Sequence, residues 1–322
     1  MPVITSSYNP PFLFKNSHLN TIYKTLFFNN KVNYVRKRIP TPDQDFLDID
    51  FSLVPSNTLV IALHGLEGSS NSKYIVSLVN HLNQHNIACA AINFRGCSGE
   101  DNNHLHSYHS GKTDDVSTIL NYILNTYTFK NIILVGYSMG GNIALKYLGE
   151  NSFIPFEVKG GIAISVPCDL EGSSNALAKT ENTIYMKRFL RTLKKKSIEK
   201  LEKFPNSNLD LSAITTAQNF AEFDGAVTAP LFGFKNAQDY WTQSSSKAFL
   251  PAIKLPTFII NALDDTFLSK SCFPFEIAKN HKQITLETPK YGGHVGFNTK
   301  IVGKDLLWSE NRIRTFIEHI IS

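Results

Sequence analysis

Asn131-Ile132-Ile133-Leu134-Val135-Gly136-Tyr137-Ser138-Met139-Gly140-Gly141-Asn142 joins a short apolar run to a serine held between glycines. The run Asn131–Val135 has the length and β-branched content of a strand covered on both faces. The residues from Asn142 to Gly149 carry a helical pattern, so Ser138 sits in a strand–tight turn–helix context. A serine thrust out of so sharp a turn crowds its neighbours, and Gly136 and Gly140 relieve that crowding. The helix that follows points its N-terminus at the serine, where free N–H groups favour negative charge.

Similar apolar runs recur on both sides of this segment. They are Leu59–Leu63, Ala88–Phe94, Gly160–Ser165, Thr257–Asn261 and Ile284–Leu286, separated by helical patterns at 73–85, 114–127, 139–150 and 271–280. Such alternation predicts an α/β fold with a mostly parallel central sheet and helices on both faces. In such sheets ligands bind beyond the carboxyl ends of the strands, so the residues after each run carry the functional weight. The 322 residues read as a single domain, 1–322. Residues of about 170–250 lack a buried strand and read as a helical cap inserted over the sheet, and 1–30 read as an arm packed on the core. A last helix is expected over Leu306–Ile321.

The strand Leu59–Leu63 runs into His64-Gly65-Leu66-Glu67-Gly68-Ser69-Ser70, the place for a second oxyanion donor. The expected donors are the backbone amides of Leu66 and Met139, and His64 reads as a brace for the loop. A serine needs a general base, and among ten histidines His294 stands out. It lies in Tyr291-Gly292-Gly293-His294-Val295-Gly296-Phe297, a close-approach loop after the final strand run. The acid that orients it belongs after Thr257–Asn261, in Ala262-Leu263-Asp264-Asp265-Thr266-Phe267-Leu268. Asp265 stands further past the strand and is preferred; Asp264 is the alternative and Asp169 a minor candidate.

These stretches resemble the YheT-like α/β-hydrolases, the AB hydrolase 4 family, and the likeness spans almost the whole chain. It includes Asn9-Pro10-Pro11-Phe12, Asn16-Ser17-His18-Leu19-Asn20-Thr21-Ile22, and His64 to Tyr74. Asn93-Phe94-Arg95-Gly96-Cys97-Ser98-Gly99, Tyr108-His109-Ser110-Gly111 and Gly136–Asn142 continue it. Phe223-Asp224, Thr228-Ala229-Pro230, Gly233-Phe234, Asp239-Tyr240-Trp241, Asn261–Asp265 and Gly292–Phe297 complete it. The chain order Ser138, Asp265, His294 is the one expected for the α/β-hydrolase fold. The resemblance implies a serine hydrolase of carboxylic esters, with acylglycerol and short-chain ester activities among relatives. Thr266 departs from the proline that relatives often carry there. On this reading Ser138 attacks the ester, His294 moves the proton, Asp265 orients His294, and water releases the acid. An acyltransferase on the same three residues, or a binding protein on a hydrolase scaffold, are the alternatives.

Composition sets the remaining bounds. Hydrophobic residues make up 42% and charged residues 18%, as in an ordinary globular protein, which excludes a largely disordered chain. Four cysteines without a CxxC exclude a disulfide framework and fit a reducing compartment, with Cys89 in a buried strand. Met1-Pro2-Val3-Ile4-Thr5-Ser6 has no basic n-region, and no long apolar run follows, so a cytoplasmic protein without a signal peptide is expected. The net charge of +5 is too weak to indicate nucleic acid. Segment 187–203 is strongly basic and reads as a solvated cap face, with peripheral contact to anionic lipid as the alternative. His104, His106 and His109 form an HxHxxH pattern read as a polar loop rather than a metal site; it leads to Thr113, expected to cap a helix whose dipole suits Asp114 and Asp115. Arg95 reads as a loop brace, or else as a contact to a polar substrate group. No cofactor or metal is expected, the partner being a small-molecule ester or acylglycerol. The oligomeric state is not legible.

Overall fold

A computed structural model describes residues 3–300 and 308–322. Its nine described strands are β1 (Val3–Ile4), β2 (Val35–Pro40), β3 (Phe46–Ser52), β4 (Thr58–Leu63), β5 (Ala88–Asn93), β6 (Asn131–Tyr137), β7 (Val158–Ile164), β8 (Thr257–Ile260) and β9 (Ile284–Glu287). They form one sheet in the order β1-β9-β8-β7-β6-β4-β5-β3-β2. Pairing is parallel from β1 through to β5 and antiparallel only at β5–β3 and β3–β2. From β4 the chain crosses to β5 on one side and returns to β6 on the other. That reversal opens a crevice at the carboxyl ends of β4 and β6.

The apolar runs alternate between the two faces. Leu59, Ile61, Ile132 and Leu134 join a core cluster with α3 (Asp114–Thr126), α4 (Met139–Glu150) and α11 (Phe275–Asn280). Val60, Ala62, Ile133 and Val135 turn to the other face, against α2 (Lys73–Gln84) and α12 (Trp308–Ile321). Helix α1 (Ser17–Phe27) is capped by Asn16, whose side chain accepts from the Leu19 amide. The Leu306–Ile321 helix is described from Trp308; its expected first two residues lie outside the described residues.

Three readings need correction. β2 and β3 were not visible as apolar runs, because charged residues interrupt the apolar ones. Arg36 and Asp50 lie directly opposite, as do Arg38 and Asp48, and each guanidinium forks onto its carboxylate at 2.8 Å. The helix expected over 271–280 begins only at Phe275. Pro274 precedes it, Phe273 is extended, and a separate 3-10 turn covers Lys270–Cys272. Thr113 stands at the N-cap of α3 but makes no side-chain cap bond; its hydroxyl donates to Glu150 instead.

Between β7 and β8 the chain forms α5 (Leu170–Leu177), α6 (Thr183–Lys203), α7 (Leu211–Thr216), α8 (Phe220–Phe223), a π-helical turn (Asp224–Thr228), α9 (Ala229–Phe232) and α10 (Ala237–Ser244). This segment has its own apolar cluster, including Leu177, Met186, Ile214, Phe220, Phe223 and Trp241, joined by Phe267 from the loop after β8. No helix among the described residues is long and apolar enough to cross a membrane.

Candidate active site

Ser138 stands between β6 and α4 with φ 52° and ψ −122°, a strained conformation for a residue with a side chain. The turn is held by the Ser138 amide donating to Ile164 O at 2.8 Å. Gly141 and Asn142 amides donate back to Ser138 O at 2.9 and 3.1 Å. The flanking glycines have no room to grow. A Cβ on Gly136 would lie 2.3 Å from Gly140 O, and one on Gly140 would lie 2.4 Å from Leu63 O. The turn therefore lifts the hydroxyl into the crevice and closes on backbone behind it.

His294 arrives from the loop after β9. Three elements fix that loop: Asp264 Oδ1 accepts the Gly293 amide, Thr21 Oγ1 of α1 accepts the His294 amide, and Ser165 Oγ accepts the Val295 amide, each at 2.9 Å. Gly293 has φ +56°, and a Cβ there would sit 2.4 Å from Ser17 O, so α1 packs directly beneath it. The imidazole stacks on Phe267, with ring centroids 4.3 Å apart. Its Nε2 lies 2.9 Å from Ser138 Oγ and its Nδ1 lies 2.8 Å from Asp265 Oδ2. The second Asp265 oxygen accepts the Phe267 amide at 2.9 Å. Ser138, His294 and Asp265 thus stand in one hydroxyl–imidazole–carboxylate series.

Asp264 turns away from the imidazole to hold Gly293. Burial, with the Asp265 charge adding to it, pushes its carboxyl up to about 6 against the pull of the Gly293 amide. Asp169 is elsewhere: it caps α5 by accepting the Gly172 amide at 3.0 Å.

The loop after β4 approaches Ser138 closely, for a Cβ on Gly65 would lie 3.1 Å from Ser138 Cβ. Its amides are nearly all engaged. Gly65 donates to Tyr74 Oη, Glu67 to Tyr108 Oη, Gly68 to Gly65 O, Ser69 to Ser72 Oγ and Ser70 to Asn93 Oδ1. Leu66 is the exception: its N–H meets no acceptor among the described residues, nor does that of Met139 at the start of α4. Both residues line one cavity with Ser138 and His294. His64 is fully buried, donates from Nδ1 to Gly65 O at 2.7 Å and accepts the Phe94 amide on Nε2 at 3.1 Å. Burial lowers it to about 4, so it is a neutral brace.

The other singled-out residues disperse. Arg95 is buried and forks onto Asp115 and Asp43, bracing loops. His104 donates to Asp43 O, His106 donates to Leu231 O, and His109 lies against Phe232. In α6, Lys196, Lys200 and Lys203 pair with Glu67 and Asp101 on the loops after β4 and β5, whereas Lys187, Arg188, Arg191 and Lys195 are exposed and make no such pair. The cysteines are free, and burial pushes the Cys97 thiol up to about 12.

The cavity above Ser138 is walled by the β7–β8 segment, with Leu170, Leu177, Phe189, Phe220, Val227 and Trp241 among its lining. Asp224 also lines it and accepts from Thr228 Oγ1 at 2.7 Å and from Trp241 Nε1 at 2.8 Å. Sequence reasoning missed several supports of the site: Thr21, the Phe267 ring, and the Glu67–Tyr108–Lys196 group. Phe267 left a trace, as the aromatic two residues past Asp265. Thr21 lies too far from the histidine along the chain to signal anything.

A sheet of this order, with a strained serine after β6 and a histidine after β9, defines an α/β-hydrolase. The family model described as alpha/beta hydrolase fold matches residues 58–271. The Escherichia coli protein YheT, provisionally named an esterase, is 33% identical over 93% of this chain and 89% of its own. The chain belongs to the α/β-hydrolase family, in its YheT-like branch. Human phospholipase ABHD3 is 26% identical over 99% of this chain and 80% of its own. The Pyrococcus furiosus esterase Pf2001 superposes with a TM-score of 0.61 at 18% identity, covering 93% of this chain and 94% of that one, a likeness of fold alone.

Proposed function

We propose that the chain hydrolyses carboxylic esters through an acyl-enzyme on Ser138. The observation that carries this reading is the continuous series from Ser138 Oγ through His294 to Asp265, at 2.9 and 2.8 Å. The Asp265 carboxylate only accepts, so Nδ1 carries the proton and Nε2 accepts the serine hydroxyl. Ser138 attacks the ester carbonyl while His294 takes its proton. The carbonyl oxygen, now negative, receives the amides of Leu66 and Met139. His294 returns the proton to the departing alcohol, and water then repeats the sequence to free the acid. The apolar wall above Ser138 suits a hydrocarbon acyl chain, in keeping with the esterase and phospholipase names of the relatives. The exposed basic face of α6, beside exposed Ile184, suits an anionic lipid surface from which such a substrate would come.

The test is fluorophosphonate labelling with p-nitrophenyl ester turnover. Labelling of the wild-type protein and its absence in Ser138→Ala are expected, with turnover falling by about 10⁴ or more. An unlabelled wild-type protein refutes the reading. Product analysis with an added alcohol separates hydrolysis from acyl transfer.

A further inference from the structure

We infer that Glu67, Tyr108 and Lys196 form a strut that positions the Leu66 amide, with Lys196 supplying from the cap helix the positive charge that makes Glu67 tolerable beside the oxyanion. This rests on the proposed hydrolase reading and goes beyond it.

Glu67 is an odd residue to find one position past an oxyanion donor. Its backbone has φ +55°, which few residues with side chains adopt, so contacts around it must hold it there. Tyr108 supplies two: its hydroxyl accepts the Glu67 amide at 3.0 Å and donates to Glu67 Oε1 at 2.6 Å. Lys196 supplies the third, with Nζ 3.1 Å from Oε1 and 2.9 Å from Oε2. The Glu67 side chain is only 6% exposed, so its charge is poorly screened by water. On the other side of Leu66, the Gly65 amide is fixed by Tyr74 Oη at 2.9 Å. Gly65 O, in the peptide before Leu66, accepts from His64 Nδ1 and the Gly68 amide, and the Glu67 amide in the peptide after it is held by Tyr108. Both peptides are thus tied, while the Leu66 amide, with no acceptor among the described residues, borders the cavity that Ser138 also lines.

The electrostatics give the strut a direction. A carboxylate beside a developing oxyanion opposes it, and the ammonium of Lys196 offsets that charge. Lys196 lies 129 residues further along the chain, on α6, so the competence of a loop on the sheet depends on a contact from the cap. Glu67, Tyr108 and Lys196 are positioning residues, since they act through the Leu66 amide. Removing the cation alone leaves the carboxylate uncompensated, which is worse than removing both charges.

The experiment measures kcat and KM for p-nitrophenyl butyrate, inhibition by a butyryl trifluoromethyl ketone, and Tm, for the wild-type protein and the variants Lys196→Met, Lys196→Arg, Glu67→Gln/Lys196→Met and Ser138→Ala. Lys196→Met is expected to lose about 10- to 100-fold in kcat, part of the worth of one oxyanion donor, with KM within about twofold. Its affinity for the ketone should fall in parallel. Lys196→Arg and the double variant should each recover most of the loss. A merely structural role would lower Tm without this recovery. A Lys196→Met variant within twofold of wild-type kcat, or a double variant no faster than Lys196→Met, overturns the strut while wild-type turnover and its loss in Ser138→Ala leave the hydrolase reading standing. Should Lys196→Met fail to fold, the double variant and Lys196→Arg still decide: either at less than a tenth of wild-type kcat with unchanged Tm overturns it. A wild-type protein without ester turnover overturns both.

Discussion

Asp264 and Asp265 are adjacent, both face the histidine loop, and yet do different work. Asp265 meets the imidazole and Asp264 meets the amide of Gly293. Asp265→Asn offers Nδ1 an amide that can donate as well as accept, which favours the wrong tautomer; kcat is expected to fall by roughly 10³–10⁴. Asp264→Asn keeps an acceptor for Gly293 and should stay within about tenfold. Steady-state kinetics on one ester separates them, and equal losses would contradict the division of roles. The pair was legible in the sequence as a pair. The preference for Asp265 rested on its standing further past the strand; what each carboxylate touches was not legible, because that depends on where the histidine loop lies. Thr21 was not legible at all, since a hydroxyl that accepts an amide 273 residues away has no local pattern.

On α2, His81 is buried beside His85, and neither of its ring nitrogens finds a partner among the described residues. Burial, reinforced by His85, lowers it to about 4. Below the ordinary histidine range the unfolded chain takes up a proton that folded His81 refuses, so its contribution falls as pH drops from about 6.5 towards 4. His81→Leu should therefore gain Tm relative to wild type, and the gain should widen across that window. Thermal denaturation at several pH values checks this, and a constant offset would sink it. On α6 the basic residues divide. Lys196, Lys200 and Lys203 are ion-paired to the loops after β4 and β5, and Lys187, Arg188, Arg191 and Lys195 are exposed, Lys195 pairing only with Glu199 of its own helix. Changing these four to Gln should weaken sedimentation with phosphatidylserine vesicles while leaving phosphatidylcholine vesicles unaffected; equal binding would assign the charge to solvation alone. The sequence showed the charge run but not this division, because helical phase fixes which residues share a face and only packing decides where that face points.

Across the whole molecule, the parallel centre of the sheet was readable because strands covered on both faces carry near-continuous apolar runs, as Leu59–Leu63 of β4 and Ala88–Ile92 of β5 do. The antiparallel edge was hidden by its cross-strand ion pairs, and the cavity was hidden because its wall is shared by segments far apart in sequence. That wall is assembled mainly from the β7–β8 segment, and it has a consequence for substrate choice. Val227 lies in the π-helical turn, is 6% exposed, and lines the cavity. Val227→Phe adds an aromatic ring at the wall while leaving Ser138, His294 and the Leu66 loop untouched. A methylene in an apolar pocket is worth about 1–3 kcal/mol of discrimination. The variant is therefore expected to lose about tenfold or more in kcat/KM for octanoyl and longer p-nitrophenyl esters, with acetate within about twofold. A loss that is the same at every chain length would mean that the acyl chain does not lie against this wall, and that the hydrocarbon it was built around belongs to the alcohol side of the ester.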